Sequence, residues 1–214
     1  MIEVQPRTLT VYTDYKSPYA YLAKDPAYAL EDEGLVRLEW LPLVLDIPSF
    51  LGSAEVDENR QVVQSERNPH QWRRVRYLYM DCRRQARRRG LVIRGPRKIW
   101  DSSLAAIGML FARRQGATVF HRYHDKVFER FWKHELDIED PAALSAVLAE
   151  AGATEGFGDY VAGPGRGELA AIQRGAEDKG VFGTPSFLLD DELFWGNEHL
   201  RDIRDLLLTK TEED

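Results

Sequence analysis

The chain has 214 residues, 43% apolar and 30% charged, the balance of an ordinary soluble globular protein long enough for one domain with an insertion or for two small domains. No stretch approaches ~18 consecutive apolar residues and the N-terminus lacks a basic region followed by an apolar run, so the expectation is a cytoplasmic protein that does not engage membranes; the single cysteine, Cys82, excludes an intrachain disulfide, a two-cysteine redox motif and a multi-cysteine metal site. The net charge of −6 conceals an asymmetry, because residues 67 to 98 hold twelve Arg or Lys against one acid, Asp81, leaving 17 basic and 34 acidic residues elsewhere.

Leu9 to Thr13 alternates apolar and polar positions with β-branched and aromatic residues and reads as a strand. A helix follows at once, with Ser17 as N-cap and Pro18 at the first helical position, where a missing N–H costs nothing. A serine hydroxyl is thereby held at a helix N-terminus, where unpaired N–H groups and the helix dipole favour an anion such as a thiolate. Capping alone also explains a serine there.

Pro26, preceded by Asp25, predicts a kink or restart within this helix, and Gly34 closes it. Val36 to Leu41 alternates as a second strand, giving a βαβ start with parallel strands. Residues 49 to 70 are polar without a sustained period and read as a loop. From 72 onward Trp72, Val75, Tyr79, Cys82 and Ala86 recur at helical spacing, with Cys82 on the apolar seam as an inert thiol. The arginines on the other faces suit small anions or nucleic acid, and also an ordinary solvated face.

Three further helices are predicted over 102–115, 118–134 and 141–150, the second carrying an aromatic stripe best explained as core. Gly163-Pro164-Gly165-Arg166-Gly167 marks a boundary before a helix over 168–179. Strands then run through Ser186 to Leu189 and Glu192 to Trp195 about an Asp190-Asp191 turn, and Asn197 caps a last helix with Leu200, Ile203 and Leu207 inward.

A βαβ start, an all-helical middle and an αββα finish define an α/β protein: a thioredoxin-like domain (1–45 and 165–214) with a mixed parallel and antiparallel sheet, interrupted by a helical insertion (46–164). The order resembles the DsbA-like branch of the thioredoxin superfamily. Within it, the chain resembles the 2-hydroxychromene-2-carboxylate isomerases and kappa-class glutathione transferases through Ser17-Pro18-Tyr19-Ala20-Tyr21-Leu22, Asp137-Ile138-Glu139-Asp140, GVFGTPSF at 180–187 and ELFWG at 192–196. Ser17 and Ala20 stand where the oxidoreductases carry two cysteines, so exchange through an internal disulfide is not expected.

The resemblance implies glutathione, or another low-molecular-weight thiol, as cofactor, with Ser17 stabilising its thiolate. It implies that a cis Thr184-Pro185 bond beside the Ser17 helix start binds the cysteinyl part. It further implies roles for Asn68 and Arg74, where relatives have an Asn-containing turn and a lysine, and for Asn197 and Glu198, where relatives place an Asp-Arg pair whose carboxylate holds the γ-glutamyl amine. In the isomerase reading the thiolate adds reversibly to a conjugated anionic aromatic substrate; in the transferase reading it stays attached to an electrophile. A non-catalytic thioredoxin-like thiol or peptide-binding protein is a third reading. Relatives are usually homodimers, so a homodimer is expected, with a small-molecule substrate and no nucleic acid, membrane or metal. From a free-thiol pKa near 8.5, a charge-assisted bond of ~1.5–3 kcal/mol and a helix terminus of ~0.3–1 kcal/mol would lower the bound thiol by roughly one to three pKa units.

Overall fold

A computed structural model describes residues 6–210. The outermost residues of the expected thioredoxin-like domain, 1–5 and 211–214, lie outside the described residues. The chain divides into two compact units: Met1–Leu43 with Ala170–Asp214, and Val44–Leu169.

The first unit is built on a four-stranded sheet of order β2-β1-β5-β6, formed by β1 (Arg7–Thr13), β2 (Val36–Pro42), β5 (Ser186–Leu189) and β6 (Glu192–Trp195). β1 pairs parallel with β2 and antiparallel with β5, and β5 pairs antiparallel with β6, so the sheet is mixed as expected. Leu9 and Val11 stand opposite Leu189 and Phe187, and all four are buried. Parallel pairing of β1 with β2 requires a crossover, which α1 (Pro18–Asp32) supplies. It buries Ala20, Ala23, Ala27 and Leu30 and packs on α9 (Leu200–Lys210), whose Ile203 and Leu207 face inward.

The predicted restart at Pro26 does not occur: α1 runs unbroken to Asp32, with Asp25 exposed and paired with the Lys24 ammonium instead of capping. Gly34, at φ +73, ends the helix as Leu35 N–H bonds back to the Leu30 carbonyl. β5 and β6 turn through Asp190 in the left-handed region, φ +54.

The second unit is mainly helical: α2 (Ile47–Leu51), α3 (Pro69–Arg88), α4 (Ser103–Arg113), α5 (Ala117–Trp132), α6 (Pro141–Ala151), α7 (Phe157–Ala162) and the start of α8 (Pro164–Asp178). The loop expected over 49–70 is instead the end of α2 and an antiparallel hairpin, β3 (Ala54–Val56) with β4 (Val62–Ser65). Its turn is fixed by Asp57, whose carboxylate accepts Gln61 N–H at 2.8 Å. Val62 and Val63 are both exposed, so no inward and outward alternation marks the strand.

α8 likewise begins at Pro164, ahead of the predicted start, and takes Gly165 and Gly167 into the helix. Gly165 belongs there for steric reasons, since a Cβ would lie 2.6 Å from Ile107 Cγ2 and 2.8 Å from the Tyr160 carbonyl oxygen. The aromatic stripe of α5 is core: Phe120, Tyr123, Phe128, Phe131 and Trp132 are buried, and Tyr123 donates to the Ala105 carbonyl at 3.0 Å. Gly108 on α4 provides the room for that phenol. No helix among the described residues is long and apolar enough to cross a membrane.

Candidate functional site

The turn from β1 into α1 is set before Ser17 is reached. The Asp14 carboxylate accepts Lys16 N–H at 3.1 Å, and the Asp14 carbonyl accepts Ser17 N–H at 3.0 Å. Lys16 Nζ lies 3.6 Å from Asp14 Oδ2, and both side chains are almost wholly shielded from solvent. Ser17 follows in an extended conformation (φ −90, ψ 115), with Pro18 next in the first turn. Its Oγ accepts Ala20 N–H at 3.2 Å, as an N-cap should, and donates to the Thr184 carbonyl at 3.1 Å. Ser17 is only 5% exposed.

The Thr184-Pro185 bond is cis. Ser186 Oγ donates to the Gly183 carbonyl at 2.7 Å, and Gly196 N–H donates to the Pro185 carbonyl at 3.0 Å, tying the loop to the end of β6. Gly183 is held against the Trp195 indole, where a Cβ would lie 2.5 Å from Nε1. Thr184 Oγ1 is buried and has no hydrogen-bond partner among the described residues. Ser17, Thr184 and Pro185 therefore meet at the N-terminus of α1.

Asn197 and Glu198 follow Gly196 in a short 3-10 turn, Asn197–His199, ahead of α9. Asn197 is therefore the first residue of that turn and not the N-cap of the last helix, which starts at Leu200. Gly196 adopts φ +116, and a Cβ there would collide with the Glu198 carboxylate folded over it. Both residues thus follow directly on Gly196, whose N–H bonds to the proline loop.

Asn68 and Arg74 belong to the helical unit. Asn68 is the N-cap of α3 in a full capping box, its Oδ1 accepting from His70 and Gln71 N–H at 2.9 Å while Gln71 Oε1 accepts Asn68 N–H at 2.9 Å. Arg74 is exposed on α3. Cys82 is fully buried on the same helix, and burial, opposed in part by Arg83, pushes its thiol up to about 11. Such a thiol is protonated and inert at neutral pH.

The Asp14–Lys16 pair escaped the sequence reading. Its signal was present: an aspartate just after a strand and three residues before an N-cap serine suits an Asx turn, because its side chain can accept the N–H two residues on.

A hydroxyl has a single proton, and Ser17 already gives it to Thr184. Donation to a bound sulfur would exchange a neutral bond of ~0.5–1.5 kcal/mol for a charge-assisted one of ~1.5–3 kcal/mol, a net of about 1–1.5 kcal/mol. With ~0.3–1 kcal/mol from the helix terminus, a thiol bound there would fall by roughly one to two pKa units, less than the sequence alone suggested.

The family profile of the DSBA-like thioredoxin domain matches residues 8–208. The chain belongs to that family. Among DSBA-like relatives, it is 26% identical over 207 residues to a 2-hydroxychromene-2-carboxylate isomerase of Sphingobium xenophagum, covering 94% of this chain and 98% of the relative. A solved 2-hydroxychromene-2-carboxylate isomerase superposes with a TM-score of 0.75 at 19% identity, over 96% of this chain and 97% of the other. A probable DsbA oxidoreductase from Streptomyces coelicolor gives 0.74 at 17% identity, over 97% and 91%. The DSBA-like fold expected from element order is thus confirmed. Unlike a dithiol oxidoreductase, this member has one cysteine, and Ser17 and Ala20 occupy the ends of the motif at the start of α1.

Proposed function

We propose that this DSBA-like protein is a glutathione-dependent isomerase of the 2-hydroxychromene-2-carboxylate isomerase type, acting in the cytoplasm as a homodimer on a conjugated, anionic aromatic substrate. The observation that carries the reading is the Ser17 hydroxyl, buried at the N-terminus of α1 and bonded across to the Thr184 carbonyl of the cis-proline loop. The residues present fit the tripeptide thiol: an anion-favouring helix start, a hydroxyl able to change acceptor, and Thr184 with an orphaned Oγ1 beside it. When bound, glutathione would supply a thiolate nucleophile for reversible addition to a conjugated double bond.

Ser17 is the residue that would touch the sulfur, turning its proton from the Thr184 carbonyl toward it. Pro18 leaves no N–H to satisfy at that point of the helix, and the Asp14–Lys16 turn, with Ser17 N–H on the Asp14 carbonyl, holds the backbone that carries the Ser17 side chain. Thr184 and Pro185 would align the cysteinyl backbone. Asn197 and Glu198 would receive the γ-glutamyl end, with the Glu198 carboxylate facing its amine. Asn68 would have only its amide N–H groups to offer, since its oxygen is engaged in the helix cap, and Arg74 would offer a guanidinium to a carboxylate.

Isomerisation of 2-hydroxychromene-2-carboxylate, followed by absorbance with and without glutathione, tests the reading. Turnover that requires glutathione, is not accompanied by its consumption, and falls at least tenfold in Ser17→Ala is expected. Turnover that consumes glutathione stoichiometrically would instead make the protein a transferase. No reaction in either sense, with glutathione bound, would leave a binding protein.

A further inference from the structure

Within the helical unit, Arg94, Pro96, Arg97, Trp100, Phe131 and Trp132, with the segment 134–137, enclose a half-open cavity of about 340 Å³ that the thiol chemistry above does not use. That volume is in the range of sites for small organic ligands. Its walls are flat and fixed. The Trp100 ring meets Phe131 edge to face at 5.8 Å, and Lys98 Nζ sits 4.5 Å from the Trp100 ring centroid while also pairing with Glu139 at 2.5 Å. An aromatic face held by two neighbours can receive a planar ligand with little further loss of freedom.

The rim is polar and its sign can be read from its groups. Neither the Arg94 nor the Arg97 guanidinium pairs with a carboxylate among the described residues. Two acids also line the cavity: Asp137 is engaged in a turn, accepting Glu139 N–H at 2.8 Å, and Glu135 lies near Arg130 and Lys133, which pair with Glu150 and Glu129. His134 reports the balance between them. Burial first, then Arg94, Arg97 and Arg60, hold its imidazole below the ordinary histidine range, against the hydrogen bond that the imidazole donates to the Gly95 carbonyl. Arg94 and Arg97 thus present positive charge on the side of the rim that His134 faces, and the histidine is mainly neutral at pH 7.

His134 carries a second signal. It follows the C-cap of α5 in the left-handed region, φ +60, with its N–H on the Phe131 carbonyl and Glu135 N–H on the Arg130 carbonyl. Glycine is the usual residue in a left-handed conformation after a helix, and a β-carbon there costs stability, so the imidazole stands at the cavity in place of a less strained residue.

We infer that this cavity is a binding site for a small planar aromatic anion, its ring laid along Trp100 and Phe131 and its carboxylate or phosphate held by Arg94 and Arg97. The site lies wholly in residues 94–137 and stands whether or not the thiol chemistry does.

Isothermal titration calorimetry with 2-naphthoate, 2-naphthyl phosphate and 2-naphthol tests it on the full chain. At least one of the anions should bind, whereas the uncharged naphthol binds tenfold or more weakly. Arg94→Gln/Arg97→Gln, two substitutions of exposed side chains, should lower affinity for the anion by about tenfold or more, since each removes a charge-assisted contact. Ser17→Ala should leave it unchanged, which separates this site from the thiol site. Which anion binds tells carboxylate from phosphate. Absence of binding up to millimolar probe, equal binding of naphthol, or an unaffected double variant would each overturn the inference.

Discussion

Replacing Ser17 by alanine should cost stability before it costs chemistry, and the amount follows from two hydrogen bonds. The cap to Ala20 N–H is worth about 1 kcal/mol. The bond to the Thr184 carbonyl is worth about as much, and its loss leaves a carbonyl unpaired beside a residue that is 8% exposed, which raises the cost toward about 1–2 kcal/mol. The expected total is about 2–3 kcal/mol, larger than a cap substitution alone. Urea unfolding of wild type, Ser17→Ala and Ser17→Thr in the absence of glutathione measures it. Threonine keeps the oxygen and should recover more than half of the loss. A loss below about 0.5 kcal/mol for Ser17→Ala would mean that the hydroxyl does not bridge α1 and the proline loop, and the proton exchange derived for the bound thiol would lose its basis.

Gly108→Ala should destabilise the helical unit by about 1–3 kcal/mol despite alanine's better helix propensity, because the new Cβ lies 2.8 Å from Tyr123 Cζ and the phenol is buried with no room to retreat; urea unfolding followed by tryptophan fluorescence reads this, and Tyr123→Phe in the same background should restore part of it. Acid should loosen the link between α5 and α6. Arg130 first, then Lys126, hold the Glu150 carboxyl at about 2, below its ordinary 4.5, so its contribution is complete above pH 4.5 and is lost as pH falls toward 2. Glu150→Gln should flatten that part of the pH dependence of stability, and an unchanged profile would show that the clamp contributes nothing.

Much of the site-bearing unit could be read in the sequence because its signals are local. Ser17-Pro18 names a helix start whatever surrounds it, and Asp190-Asp191 between two alternating runs names a hairpin. The resemblance added the pairing of Ser17 with Thr184 and Pro185, which lie 167 and 168 positions along the chain and which no local pattern connects. What was missed has physical causes. The β3–β4 hairpin faces solvent through Val62 and Val63, so burial imposes no period on it. α8 starts early because Gly165 answers to the close approach of Ile107 and Tyr160 and not to helix propensity. Pro26 did not break α1, whose buried face, including Ala23, Ala27 and Leu30, is continuous across it. The acceptor already held by Ser17 was invisible, since a sequence shows a hydroxyl and not where its proton points.

Stabilisation of a bound thiolate by Ser17 has a direct spectroscopic signature. Difference-ultraviolet titration of glutathione against wild type and Ser17→Ala from pH 5 to 9 tests it directly. Wild type should show thiolate absorbance with an apparent pKa roughly one to two units below the free thiol's ~8.5, and Ser17→Ala should move it back by about one unit. Glutathione that binds wild type without ionising below its free pKa, or ionises equally in both proteins, would contradict the claim and leave Ser17 as a helix cap.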